Sequence, residues 1–157
     1  MARSRSTARK ALTLLRSGWR KQALVVEASC SMLAARVELL LKPFGQVSER
    51  FGEFVSPADP RVSARAPLDG AQLQMVRDIR WAVRAAAPFM PFRSVCLQQA
   101  MAGHAMLRRR GIHSVMHFGA GRGDTKPMDA HAWLDASGIK VTGYPIAPNL
   151  TEIGCFV

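Results

Sequence analysis

The sequence contains few cysteines, only Cys30, Cys96 and Cys155 among 157 residues. An odd number of cysteines without framework spacing does not fit a secreted disulfide scaffold, so a reducing compartment is the simpler inference. No Cys-x-x-Cys pair is present, which removes the commonest structural zinc motif. His113 and His117 would lie on one side of a strand but about 13 Å apart, so they are poor partners for one metal ion. We therefore expect neither a metal ion nor another cofactor.

Acidic residues are also scarce. Lys and Arg number 22 against 11 Asp and Glu, which gives a net charge of +11. Residues 1–21 hold seven of these cations and no acid, whereas the remainder holds 15 basic and 11 acidic residues. Such a segment fits contact with an acidic partner protein or with an anionic membrane surface. The alternative is a solvated, partly frayed terminus.

Long hydrophobic runs are absent as well. The apolar run 11–15 is too short for a signal peptide. Segment 23–41 is strongly apolar, but Glu27, Arg36 and Glu38 interrupt it, so it is a marginal membrane span at best. These features predict a cytoplasmic protein that is at most peripheral to a membrane. Segment 23–41 is instead predicted to be an amphipathic or buried helix. Its predicted apolar face consists of Leu33, Val37, Leu40 and Leu41.

The hydrophobic period changes along the chain. Apolar residues recur at helical spacing up to Gly111 and alternate as in strands beyond it. Asp69 is placed to cap the helix that follows a proline-rich stretch. The predicted parts are a basic N-terminal segment with helices that pack on the core (1–55), a linker loop (56–70) and the core itself (71–157). The predicted elements are a short helical piece at 47–54, helices at 71–87 and 95–110, strands at 112–118, 130–135 and 139–144, and a glycine-rich loop at 119–127. Helices followed by an antiparallel hairpin predict the α+β class.

The helix predicted at 95–110 carries a cysteine in its first turn. Ser94 is a good N-cap, and Gly111 is the usual type of residue just past a helix end. Cys96 would face the positive end of the helix, which favours the thiolate. Three arginines at 108–110 occupy the last turn, where the helix dipole favours cations. This explanation needs no nucleic acid, and we expect none to bind. A buried structural cysteine is the alternative interpretation of Cys96.

A histidine lies 35 residues downstream of Cys96, at His131 on a predicted strand. Cysteine–histidine catalysis needs a thiolate nucleophile and an imidazole that moves the proton to the leaving group. The two side chains must lie within hydrogen-bond reach but need not be close in sequence. A cysteine at a helix start and a histidine on a core strand can meet if the helix packs across the sheet. The pair is therefore a candidate catalytic pair.

Four short motifs follow one another in the second half of the chain. They are Ser94-Val95-Cys96-Leu97, Met106-Leu107-Arg108-Arg109-Arg110-Gly111-Ile112, His131-Ala132-Trp133-Leu134-Asp135 and Val141-Thr142-Gly143-Tyr144-Pro145. In this order and spacing, about residues 70–157 resemble the transglutaminase-like leader peptidase of lasso-peptide biosynthesis, the family of the microcin-processing protein's C-terminal half. The resemblance implies a papain-like or transglutaminase-like α+β fold. It assigns Cys96 as nucleophile and His131 as general base and acid.

The resemblance also implies a substrate and partners. The substrate would be a ribosomally made precursor peptide, whose leader is removed by hydrolysis without ATP. The partners would be a separate leader-binding protein and an ATP-dependent macrolactam cyclase. We expect this chain to lack a leader-recognition domain of its own, as a stand-alone peptidase does.

One residue departs from the pattern of that family. The third catalytic residue of the family is an aspartate at the position of Gly143. Asp135 is on the strand of His131 but about 13 Å away, which is too far to orient its ring. Asp129 and Asn149 are left as candidates for the orienting role. If the backbone tolerates a side chain, Gly143→Asp is expected to raise the rate. The departure also permits a different function, a catalytically weak scaffold that binds precursor, leader-binding protein and cyclase. A third alternative is another acyl transfer on the same fold.

The charge distribution gives a first testable prediction. Deletion of residues 1–21 should weaken binding to an acidic partner or to anionic lipid, and should remove most of the salt dependence of that binding. The reason is that charge-driven association weakens as salt shortens the Debye length, which is about 10 Å at 0.1 M. Binding measured from low to high salt, with the full chain as control, checks this. Salt dependence that survives the deletion would show that the N-terminal cations are not responsible.

Overall fold

The computed structural model describes residues 18–92, 95–122 and 128–157. Helices come first and strands follow, with one short strand between the helices. The helices are α1 (Trp19–Leu41), α2 (Phe44–Ser48), α3 (Pro60–Ser63), α4 (Gly70–Ala86) and α5 (Cys96–Arg108), with 3-10 turns at Glu49–Phe51 and Ala87–Phe89. The strands are β1 (Phe54–Val55), β2 (Val115–Gly121), β3 (Asp129–Ala136), β4 (Ile139–Thr142) and β5 (Leu150–Phe156).

The strands form one five-stranded sheet in the order β1-β5-β2-β3-β4, with every neighbouring pair antiparallel. The predicted α+β class is therefore confirmed. The sequence predicted only the central β2-β3-β4 meander and missed β1 and β5. Strand β2 also extends to Gly121, into the stretch predicted as a glycine-rich loop. The rest of that loop, residues 123–127, lies outside the described residues.

Helix α4 begins at the predicted capping residue. The side chain of Asp69 accepts the N–H of Gln72 at 2.7 Å, and the Gln72 side chain accepts the N–H of Asp69 at 3.1 Å. This reciprocal pair satisfies two N–H groups that a helix start leaves without partners. The positions that face the core, Val76, Ile79 and Val83, are fully buried at the predicted helical spacing.

Helix α1 packs through a different face from the predicted one. The predicted face, which carries Leu33, Val37, Leu40 and Leu41, is exposed, at 45–77% for these side chains. The residues that enter the core are Leu24, Ala28, Met32 and Ala35. Two of these are alanines, whose small side chains let the helix approach its neighbours closely. The prediction that the face with the largest apolar residues is buried was therefore wrong. None of the described helices is long and apolar enough to cross a membrane.

The arginines at the end of α5 attach that helix to α1. Arg109 and Arg110 both bind the carboxylate of Glu27, at 3.1 Å and 2.7 Å. Arg108 donates to the backbone carbonyl of Arg50 at 2.7 Å. A hydrogen bond from Arg110 is the largest cause that holds the pKa of Glu27 below its usual value, against the opposing effect of partial burial. Cations at a helix C-terminus are favourable by themselves. Here the same arginines also hold the end of α5 in place against α1 and Arg50.

A buried histidine gives the fold a pH dependence that can be measured. Nδ1 of His104 lies 3.0 Å from Oγ of Ser114, and the ring meets Phe51 edge-on. Burial lowers the pKa of His104 to about 4 from 6.5, with smaller contributions from the charges of Arg108 and His113. A proton therefore binds the unfolded chain more readily than the folded one.

We expect His104 to cost stability in acid. Its contribution is intact above pH 6.5 and is lost as pH falls toward 4, by about 2–3 kcal/mol in the free energy of unfolding. Urea unfolding at several pH values should show the curves of wild type and His104→Gln converging on acidification by that amount. The control is His113→Gln, because His113 is exposed and its charge contributes least of the three causes to the lowered pKa of His104. Curves for wild type and His104→Gln that stay parallel would contradict the assignment.

Candidate active site

Helix α5 rests directly on strands β3 and β4 through a glycine. A Cβ atom added to Gly103 would lie 2.8 Å from Cδ2 of Leu134 and 3.7 Å from side-chain atoms of Val141 and Thr142. A larger residue at this position would require the Leu134 side chain to move or the helix to shift away from the sheet. Gly103 therefore fixes how close the helix that begins at Cys96 comes to the strand that carries His131.

The chain direction then decides which end of the sheet the cysteine approaches. The C-terminal end of α5 leads through residues 109–114 to Val115, which pairs with Asp135 at the end of β3. The start of α5 therefore points toward the start of β3. From Gly103, Cys96 is two helical turns back, about 10 Å. From Leu134, which Gly103 contacts, His131 is also about 10 Å back. The backbones of Cys96 and His131 thus lie at the same end of the helix–sheet layer.

The side chain of His131 nevertheless lies on the face of the sheet that is turned away from the helices. Side chains alternate along a strand, so Ala132 and Leu134 face the helices and His131 and Trp133 face away. Consistent with this, the imidazole stacks on the indole of Trp133, with ring centroids 6.0 Å apart. Cys96 and His131 are both described residues, and no hydrogen bond joins them. The structure brings the two backbones to one end of the sheet without joining the reactive groups.

Cys96 is the first residue of α5 and is half-buried. The predicted N-cap, Ser94, lies outside the described residues. The residue before the helix is Val95, whose N–H donates to Oε1 of the buried Gln98 at 3.1 Å. The first N–H groups of a helix have no acceptor within the helix. At Cys96 these groups are placed to stabilise negative charge that develops on a substrate next to the thiol.

A backbone carbonyl, not a carboxylate, orients His131. Nε2 of the ring lies 2.6 Å from the carbonyl oxygen of Gly143. A carbonyl oxygen only accepts, so Nε2 carries the proton and Nδ1 of the neutral ring is left as the proton acceptor. Neither candidate from the sequence takes this role. Asn149 donates to the carbonyl of Arg122 at 2.9 Å, and Asp129 is exposed at the start of β3.

The geometry of Gly143 excludes an aspartate at this position. Its φ is +79°, a region that residues with a side chain rarely adopt. A Cβ atom there would lie 2.5 Å from the carbonyl oxygen of Ala132 and 2.7 Å from Cβ of Trp133. The expectation that Gly143→Asp raises the rate depended on a backbone that tolerates a side chain, and this backbone does not.

The other two cysteines are poor candidates for the nucleophile. Cys30 is exposed on α1, within the helix and not at its start. Cys155 is fully buried on β5, and burial together with the carboxylate of Glu152 raises the pKa of its thiol. A thiol that remains protonated and enclosed does not attack a substrate. Cys96 is therefore the only cysteine both at a helix start and partly accessible.

A second group of titratable side chains lies on the same face of the sheet as His131 and was missed from the sequence. His117 contacts Glu152 at 2.5 Å and Asp135 at 3.1 Å through its two ring nitrogens. Burial alone would lower the pKa of His117, but the hydrogen bonds and charges of the two carboxylates outweigh it, and the pKa is raised. The alternation along β2 could have placed His117 on the face opposite to Met116. The contact with Glu152 could not be predicted, because Glu152 lies on β5, a strand that the sequence did not predict.

A cavity beside α5 lies away from both Cys96 and His131. It has a volume of about 530 Å³ and lies between α1 and the C-terminal half of α5, where Arg50 and Arg108 line it. Its lining includes neither Cys96 nor His131. It is therefore not the cleft of the candidate cysteine–histidine pair.

Comparison with known proteins adds the family to this geometry. No curated protein and no solved structure matches the chain. The transglutaminase-like superfamily matches residues 38–153, which include α2 to α5, all of β1 to β4, and both Cys96 and His131. The chain belongs to the transglutaminase-like superfamily.

Proposed function

We propose that this protein is a cysteine peptidase that removes the leader from a ribosomally made lasso-peptide precursor. The observation that carries the proposal is the position of His131. Its Nε2 is held by the Gly143 carbonyl and its Nδ1 is left as an acceptor. The direction of the chain supports a position at the end of the sheet where α5 begins with Cys96. The superfamily supports a cysteine-peptidase-like fold. The leader peptide as substrate rests on the sequence resemblance.

The chemistry follows from the roles of these groups. Nδ1 of His131 takes the thiol proton, and Sγ of Cys96 attacks the scissile carbonyl, so that a C–S bond forms and a tetrahedral oxyanion develops. The N–H groups at the start of α5 stabilise this oxyanion. The intermediate collapses as the imidazolium gives its proton to the leaving amine. Water, deprotonated by His131, then hydrolyses the thioester and restores the thiol.

The carbonyl of Gly143 makes this machinery weaker than one with a carboxylate. A carboxylate stabilises the imidazolium by its full charge, and its loss in a serine triad costs about 10⁴ in rate. A cysteine enzyme suffers less, because a thiolate and an imidazolium form without a third charged residue. Cys96 and His131 must also come together on substrate binding, since catalytic hydrogen bonds often tighten only in the complex. We therefore propose a slow peptidase that relies on the leader-binding protein to place the precursor.

A scaffold that binds the precursor, leader-binding protein and cyclase without cutting is the second candidate. The missing hydrogen bond between the described residues Cys96 and His131 favours it. Peptide masses separate the candidates: hydrolysis yields free leader, transfer to another amine yields a new amide, and a scaffold yields neither. In each case the basic segment 1–21 would assist association with an acidic partner or membrane surface at the cytoplasmic side.

The nucleophile assignment predicts a specific loss. Cys96→Ala should lower cleavage of the precursor by at least about 10³-fold, since no other group replaces the attacking sulfur. The matched control Cys30→Ser should cleave at the rate of wild type, because Cys30 is exposed and outside the site. Mass spectrometry of precursor incubated with leader-binding protein measures both rates. Cleavage by a folded Cys96→Ala protein at the rate of wild type would end the peptidase proposal.

The backbone conformation at Gly143 predicts that substitutions there lower stability and do not raise the rate of cleavage. Gly143→Asp and Gly143→Ala should each lower the free energy of unfolding by about 2–4 kcal/mol, from the positive φ and the close contacts with Ala132 and Trp133. Gly45→Ala is the control, because a Cβ atom at Gly45 meets nothing within 4 Å. Thermal or urea unfolding measures all three variants. A Gly143→Asp protein as stable as wild type would contradict the backbone strain assigned to this position, and faster cleavage by it would show that a carboxylate there orients His131 better than the carbonyl does.

A further inference from the structure

We propose that His117, Glu152 and Cys155 bind a divalent transition-metal ion of the zinc type. One ligand atom from each residue points into the same space. Nδ1 of His117 lies 2.5 Å from Oε1 of Glu152 and 3.4 Å from Sγ of Cys155, and the sulfur lies 3.0 Å from the same carboxylate oxygen. A set of one nitrogen, one oxygen and one sulfur ligand suits Zn²⁺ and not Ca²⁺ or Mg²⁺, which take oxygen ligands.

An irregularity in the sheet creates this set. Residues three apart on a regular strand face opposite sides. In the pairing of β2 with β5, His117 is opposite Cys155 and Gly119 is opposite Glu152, with a register shift between Phe118 and Gly119. The shift leaves Ile153 as an extra residue, 60% exposed, between Glu152 and Gly154. This bulge brings Glu152 and Cys155 to one face, beside His117.

A fourth residue fixes the orientation of the histidine. Nε2 of His117 lies 3.1 Å from Oδ2 of Asp135. If Nε2 donates its proton to this carboxylate, the lone pair of Nδ1 is directed at Glu152 and Cys155. Histidine ligands of zinc commonly donate their second ring nitrogen to a carboxylate in this way, and that contact raises the basicity of the ligand. The contact between His117 and Asp135 is therefore the one that a metal-binding histidine needs.

The burial of the four side chains provides both enclosure and access. Cys155 is fully buried and the His117 side chain is 8% exposed, whereas the side chains of Glu152 and Asp135 are 32% and 23% exposed. The soft ligands are thus deep, and an ion can enter from the carboxylate side. Three protein ligands leave one tetrahedral position, toward solvent, for water.

Metal binding requires a small expansion of the ligand triangle. Bonds of about 2.0–2.3 Å at tetrahedral angles separate ligand atoms by roughly 3.3–3.7 Å. The contact between His117 and Glu152 must therefore open by about 1 Å, which the partly exposed Glu152 side chain can do by rotation. The ion would replace the proton of the Cys155 thiol and any proton on Nδ1 of His117, because both atoms bind metal only when deprotonated.

Cobalt titration of the full chain tests the site. In the Cys30→Ser/Cys96→Ala background, Cys155 is the only thiol, so a thiolate-to-cobalt absorption band reports this site alone. We expect one Co²⁺ per chain, displaced by Zn²⁺, after any affinity tag has been removed. Asp135→Asn should weaken binding by about 10–100-fold. A hundredfold excess of Zn²⁺ over its Kd should raise the Tm by roughly 5–10 °C.

Variants decide whether these residues are the ligands. Glu152→Gln and His117→Gln should abolish the thiolate band and the Zn²⁺-dependent rise in Tm, and His113→Gln, on the exposed control histidine, should keep both. Glu152 is partly exposed, so its variant gives the decision even if His117→Gln does not fold. Absence of a band in the folded parent, or equal binding by the parent and Glu152→Gln, would overturn the proposal and leave the cluster as a hydrogen-bonded brace between strands.

Discussion

The close contact between Gly103 and Leu134 sets the geometry on which the candidate site depends. The absence of a side chain at Gly103 lets the helix that begins at Cys96 lie this close to β3, since an added Cβ atom would be 2.8 Å from the leucine side chain. At the far end, Arg109 and Arg110 hold the same helix to Glu27 of α1. The position of Cys96 along the sheet is therefore determined by contacts two or more turns away from it.

Much of the fold could be predicted from the sequence because its signals are local. The capping box at Asp69, the helical spacing of Val76, Ile79 and Val83, and the turn between β3 and β4 each involve residues close in sequence. Strand β5 could not be predicted in this way. It pairs with β1 and β2, which are distant in sequence, and a bulge at Ile153 breaks the alternation that would reveal a strand. The face of α1 was mistaken because burial there depends on the fit of Ala28 and Ala35 against other helices.

The candidate site, like the fold, has parts that could be predicted from local sequence signals and parts that could not. The positions of Cys96 and His131 follow from a helix start and a strand, which the sequence reveals. The hydrogen-bond partner of His131 could not be predicted from the sequence. It is a backbone carbonyl oxygen, which every residue type has. Gly143 looked like the loss of an aspartate. In the structure, its positive φ turns the chain after β4 so that its own carbonyl oxygen meets Nε2 of the ring.

Trp133 connects the candidate catalytic histidine with the candidate metal ligands. Its indole stacks on His131, and on His117 with the rings nearly parallel, 3° apart. Space for the indole exists because Gly119 has no side chain; a Cβ atom there would lie 2.8 Å from the ring. An ion that fixed His117 would also limit the movement of Trp133, and through it the movement of His131. In the proposed peptidase His131 moves toward Cys96, so an ion at His117 that limits this movement would lower the rate of cleavage.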